Sequence, residues 1–183
     1  MKKNERDKYL LKDEYKRFIK QSPIQYILFW KTIFLCGLRI TEGLNITPQD
    51  IIYSENKILI KTLKRKDHPI IPVIVPKELI NEIKEHIQNN PAINGRIWKY
   101  SRQYAWKMFK SICAKANLNS KYSPHAFRHA HGVMISDITN GNMVEIKNRL
   151  RHSNIRSTEF YIHVSEKKQK ELADNISKYL EID

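Results

Sequence analysis

The sequence predicts a mainly α fold carrying one small three-stranded antiparallel β-sheet (α+β), and three observations predict it. Apolar residues recur at three- and four-residue spacing through most of the chain. One block between Asp50 and Val75 is instead β-branched, short-stepped and broken by polar turns. Everything after Pro76 returns to the helical pattern.

Taken in order, Leu10 to Ile19 and Ile24 to Cys36 read as two helices, with Ser22 and Pro23 as cap and first residue of the second and Gly37 ending it. Thr41 is the expected cap of a short helix beginning at Glu42, and Pro48 closes that segment. Strands are expected at Asp50 to Tyr53, Lys57 to Thr62 and Pro69 to Val75. Helices follow at Lys77 to Gln88, Ser101 to Ala116, Pro124 to Ile138, Met143 to Leu150, Ser157 to Tyr161 and Glu166 to Leu180. Ser123 before Pro124 is a start signal, and Ser153 or Asn154 supplies a break after Leu150.

The 183 residues fit one domain, 1–183, large enough to bury a core without disulfides or a structural metal. A composition 41% hydrophobic, with five Gly and seven Pro, excludes a disordered or low-complexity chain. The most apolar stretch, Ile24 to Leu38, is too short to cross a membrane and is interrupted by Gln25 and Lys31. The N-terminal MKKNERDKYL is charged and lacks an apolar signal core, so the expected location is the cytoplasm, with no membrane association. Cys36 and Cys113 lie inside apolar helical patterns and are expected to be reduced core residues.

A formal charge of +14 makes a polyanion the expected partner, because clustered cations attract it through long-range field and counterion release. The cations group at Lys61 to Lys66, along Arg96 to Lys110, and at Lys147, Arg149, Arg151 and Arg156. Charge alone leaves ribosomal, RNA-binding and membrane-surface proteins open.

Four separated segments hold polar residues that a packed core does not require: GLRITEG (37–43), TLKRKDHPIIP (62–72), SPHAFRHAHG (123–132) and LRHSNIRSTEFYIHV (150–164). Their residue types suit phosphodiester chemistry, which needs a nucleophile, neutralisation of phosphate charge and a proton for the leaving oxygen. Arg39 and Arg128 offer planar forks of donors matched to phosphate oxygens. His125 and Arg128, three apart, share the face of a helix whose N-terminal end favours anions. His125 and His129 have zinc-helix spacing, but Ala126 replaces the glutamate such a motif needs, so no metal site is expected.

Together the segments resemble the tyrosine recombinases, the family of phage and transposon integrases, whose pattern is G-L-R-x-x-E, a hairpin lysine, H-x-x-R, then L-G-H-S with a tyrosine nine residues after its histidine. The sequence supplies Arg39, Lys64, His125, Arg128, His152 and Tyr161 in that order, and the resemblance runs from about residue 8 to the C-terminus. It implies the catalytic-domain fold of that family and a site-specific recombinase that cleaves and rejoins DNA by transesterification through a 3′-phosphotyrosyl link to Tyr161. Arg39 and Arg128 would grip the phosphate, Lys64 would protonate the 5′ oxygen, His125 would accept or relay the tyrosine proton, His152 would bond the phosphate, and Glu42 would orient the cations. Lys61, Arg65, Lys66, Arg102 and Arg151 are the cations expected to contact DNA. His129, His131 and His163 are read as structural.

No cofactor is implied, since the transesterification conserves bond energy. Implied partners are double-stranded DNA, a tetramer assembled on it from a monomer in solution, and accessory DNA-bending proteins. The rival readings are an inactive or regulatory DNA-binding relative and a type IB topoisomerase-like activity. Two departures stand out. Arg151 occupies the position the family usually gives to Gly, where it either disturbs a turn needing positive φ or adds a phosphate contact. Only a few residues precede the first helix, so an N-terminal core-binding domain is expected to be absent.

Overall fold

A computed structural model describes residues 9–62 and 69–151. The expected helices at 157–161 and 166–180 lie outside the described residues. Elements run α1 (Lys12–Gln21), α2 (Ile24–Leu35), α3 (Ile40–Leu44), β1 (Ile51–Ile52), β2 (Lys57–Lys61), β3 (Ile70–Ile74), α4 (Lys77–Gln88), α5 (Arg102–Lys115), α6 (His125–Ile138) and α7 (Met143–Leu150).

α1 is amphipathic and buries Phe18. Its first turn carries Asp13 and Glu14, and the Glu14 carboxylate accepts the Leu11 N–H at 2.8 Å, closing an otherwise open helix end. α2 is apolar nearly all round, and Phe29, Trp30, Ile33 and Phe34 are buried because α3, α4 and α6 pack around it. Rings from α1, α2, α5 and α6 interlock at the centre: Phe127 lies 4.8 Å from Phe18, 5.4 Å from Phe109 and 5.8 Å from Trp30, all edge-on.

The sheet has order β1-β2-β3 and is antiparallel throughout. Ile58 pairs with Ile51 on one side and Val73 on the other, and the alternation of β2 buries Ile58 and Ile60 while Lys57 and Lys61 face outward. The first strand is shorter than expected because Tyr53–Glu55 winds into a 3-10 turn that ends at Asn56, φ 50°. Pro23 precedes α2 instead of starting it, and Ser22 donates its hydroxyl to Phe18 O at 2.8 Å, closing α1. The short helix starts one residue before Thr41: Arg39 is its N-cap, and the Glu42 carboxylate, not a threonine hydroxyl, takes the Arg39 N–H.

Candidate active site

The site is built where the α2–α3 turn, the start of α6 and the end of α7 meet. The turn is possible because Gly37 sits at φ +57° with the His131 ring against it; a β-carbon there would stand 2.6 Å from His131 Cδ2. The turn delivers Arg39 to the surface and Glu42 to the interior. Glu42 Oε1 accepts Arg39 Nη1 at 2.7 Å, and its Oε2 accepts the Arg39 N–H at 2.9 Å. The Glu42 side chain is 1% exposed whereas that of Arg39 is 29% exposed, so the carboxylate anchors from behind and the guanidinium is presented forward.

Arg128 reaches Glu42 from the other side, Nη1 to Oε2 at 3.8 Å. Its fork is buried: Nη1 donates to Gly37 O at 2.7 Å and Nη2 to Leu150 O. Burial alone would raise the Glu42 pKa, but the Arg39 backbone N–H and the charges of Arg151 and Arg128 outweigh it and hold the carboxyl below its ordinary value. Glu42 is therefore an anionic hub for three guanidiniums.

In front of Arg39 lies a cleft of about 440 Å³, lined by Arg39, Thr41, Arg102, Trp106 and His125. His125 is the first residue of α6, so the helix N-terminus opens on the same cleft, where backbone N–H groups favour an anion. Arg102 and Trp106, four apart on α5, share one face. Lys61 ends β2, exposed, opposite Ile70, and Thr62 N–H donates to Pro69 O at 3.0 Å to close the hairpin stem. Lys64, Arg65 and Lys66 fall between β2 and β3 in the sequence and, with His152 and Tyr161, lie outside the described residues.

Thus Arg39, His125 and Arg102 share the cleft, while Arg128 stands behind it against Glu42. Arg151 does not point outward as a DNA contact would. Its backbone is left-handed at φ 55° and ψ 40°, and its 1%-exposed side chain folds inward onto the α2–α3 turn. An L-residue there costs on the order of 1–2 kcal/mol relative to glycine. Arg149 is likewise drawn in, donating to Ile74 O at 2.6 Å, Leu35 O at 3.0 Å and His131 Nε2 at 3.4 Å. Of the third cationic group, Arg149 and Arg151 are in this respect structural, because helix-end and strand-edge carbonyls take their guanidiniums. Trp106, 49% exposed, was not singled out from the sequence. The signal available was its spacing from Arg102. Among the described residues no three His, Cys, Asp or Glu side chains converge as a metal site.

The phage integrase family model matches residues 8–168. Tyrosine recombinase XerD of Staphylococcus saprophyticus is 29% identical over 143 residues, 73% of this chain and 48% of that protein. Tyrosine recombinase XerH of Campylobacter jejuni is 23% identical over 188 residues, 94% of this chain and 52% of that protein. The chain thus spans about half the length of these relatives. Among solved structures, XerH recombinase bound to its difH substrate in a pre-cleavage complex superposes with TM-score 0.76 at 19% identity, covering 91% of this chain and 53% of that one. The catalytic domain of bacteriophage HP1 integrase superposes with TM-score 0.69 at 18% identity, covering 91% of this chain and 93% of that one. The fold is accordingly that of a tyrosine recombinase catalytic domain, and the chain belongs to the phage integrase family.

Proposed function

We propose that this chain is the catalytic domain of a site-specific DNA recombinase acting on double-stranded DNA. Tyr161 attacks a backbone phosphorus, a 3′-phosphotyrosyl bond forms, and the 5′ oxygen leaves with a proton supplied by Lys64. The 5′ hydroxyl of the partner strand then reverses the step. The observation that carries this reading is the Arg39–Glu42–Arg128 hub set behind a cleft that His125 and the α6 N-terminus also face. Positive charge beside that cleft supports the reading, because it would stabilise a phosphorane as a divalent metal does in other phosphoryl transfers. In this reading His125, which lines the cleft, takes or relays the tyrosine proton, and His152 bonds the phosphate. Arg102, Lys61, Arg65 and Lys66 are assigned to the DNA backbone. Recombination would proceed from a monomer in solution to a tetramer on DNA, with accessory bending proteins and without a cofactor.

The test is a nicked suicide duplex built on an attachment site of a related recombinase, scored for a covalent protein–DNA band on a denaturing gel. Wild type is expected to give the band and Tyr161→Phe to abolish it. A band that survives Tyr161→Phe overturns the nucleophile. Duplex binding with no band from wild type points instead to a regulatory relative.

A further inference from the structure

Position 151 sets backbone against side chain. The left-handed backbone favours glycine, yet both terminal nitrogens of the arginine that stands there are engaged. Its Nη1 donates to Cys36 O and Arg149 O, each at 3.1 Å, and its Nη2 donates to Gly37 O at 3.0 Å with Glu42 Oε2 at 3.5 Å. Three of these four acceptors belong to the turn and helix that carry Arg39. Two of them, Gly37 O and Glu42, also meet Arg128, the first by a hydrogen bond and the second by an ion pair, and another acceptor of Arg128, Leu150 O, belongs to the peptide immediately before Arg151.

We propose that Arg151 is a positioning residue for the cleavage chemistry, holding the α2–α3 turn and Glu42 so that Arg39 and Arg128 stand correctly about a bound phosphodiester. The physical reason lies in the shared carbonyl. Were Arg128 the sole donor to Gly37 O, swinging its fork onto a phosphate would strand a buried acceptor. With Arg151 also on that oxygen, Arg128 Nη1 turns toward phosphate while Nη2 keeps Leu150 O and the Gly37 carbonyl stays satisfied. Arg151 likewise keeps Glu42 neutralised during the move. This inference rests on the reading of the cleft as a phosphotransfer site.

Glycine separates positioning from mere support of the turn. Arg151→Gly relieves the backbone and Arg151→Ala does not, so Arg151→Gly is expected to melt at a higher temperature than Arg151→Ala. Both are expected to form the Tyr161 adduct in single turnover about tenfold or more slowly than wild type, with duplex affinity within about twofold. Arg151→Lys keeps the charge but loses the fork and is expected to fall between. A wild-type adduct rate in Arg151→Gly, rates that track melting temperature across the series, or a loss confined to duplex affinity each overturns the proposal. If wild type forms no adduct, the cleavage reading fails separately, and inorganic phosphate decides the positioning claim. Saturable phosphate binding weakened about tenfold in Arg151→Gly supports it, and binding unchanged by the substitution, or absent from wild type, overturns it.

Discussion

Glu42 is one carboxylate facing three guanidiniums from three different segments of the chain. Removing the charge of a buried hub strands its cations, a loss of about 3 kcal/mol or more. Glu42→Gln is expected to show that loss in urea unfolding at pH 7. His131 is the second buried titrating group, 1% exposed, with its pKa pushed down to about 3 by burial and by the charges of Arg149, Arg151 and Arg128. It is neutral in the folded protein and binds a proton more readily when unfolded. Its contribution to stability is therefore complete above 6.5 and falls as pH drops from there toward 3. Between pH 7 and pH 5 the loss is about 2 kcal/mol, and His131→Gln is expected to flatten it; equal slopes in the two proteins would count against His131. Glu42 adds to acid sensitivity only below its ordinary value of 4.5. The sequence named Arg39, Glu42 and Arg128 but not their depth. Spacing tells which face of a helix a side chain leaves from, not whether a long guanidinium then turns to solvent or to a buried carbonyl. For that reason the inward turn of Arg151, a cation expected at DNA, is not legible in the sequence.

At the scale of elements, most boundaries follow from local chemistry. Ser101 Oγ accepts the Tyr104 N–H at 3.0 Å and starts α5 where the sequence expects it. Asn142 Oδ1 accepts the Val144 and Glu145 N–H groups at 3.1 and 3.3 Å and starts α7. α7 has only eight residues, so its cap stands for a large share of its ends. Asn142→Ala is expected to cost about 1 kcal/mol in urea unfolding. A change within error would show that packing of Ile146 and Leu150 alone holds the helix. α3 starts earlier than a Thr41 cap predicts, because the Glu42 carboxylate three residues after Arg39 does the work of a hydroxyl cap. The hairpin was legible from β-branched runs and its polar turn, whereas the truncation of β1 depends on a left-handed asparagine that leaves no sharp sequence mark.

Across the whole molecule, the site exists only because distant segments converge: Gly37 and Glu42 meet Arg128 some 90 residues away and Arg151 about 110 away. The family pattern made that convergence readable. The aromatic centre of Phe18, Trp30, Phe109 and Phe127, which holds α1, α2, α5 and α6 in place, follows from helical periodicity alone. One further consequence concerns colloidal behaviour. β3 is an edge of the described sheet, and Ile70 and Ile74 are each 61% exposed on it. Val75 N–H bonds Asn56 O and Thr62 N–H bonds Pro69 O at the two ends of the ladder, so by alternation Ile70, Pro72 and Ile74 turn their backbone groups to the open side. Pro72 has no N–H to offer there, and the Ile74 carbonyl is occupied by Arg149 at 2.6 Å. A greasy open edge is thereby denied the ladder that a second molecule would need to extend it. Pro72→Val restores the missing donor and is expected to raise light scattering in concentrated samples at unchanged melting temperature.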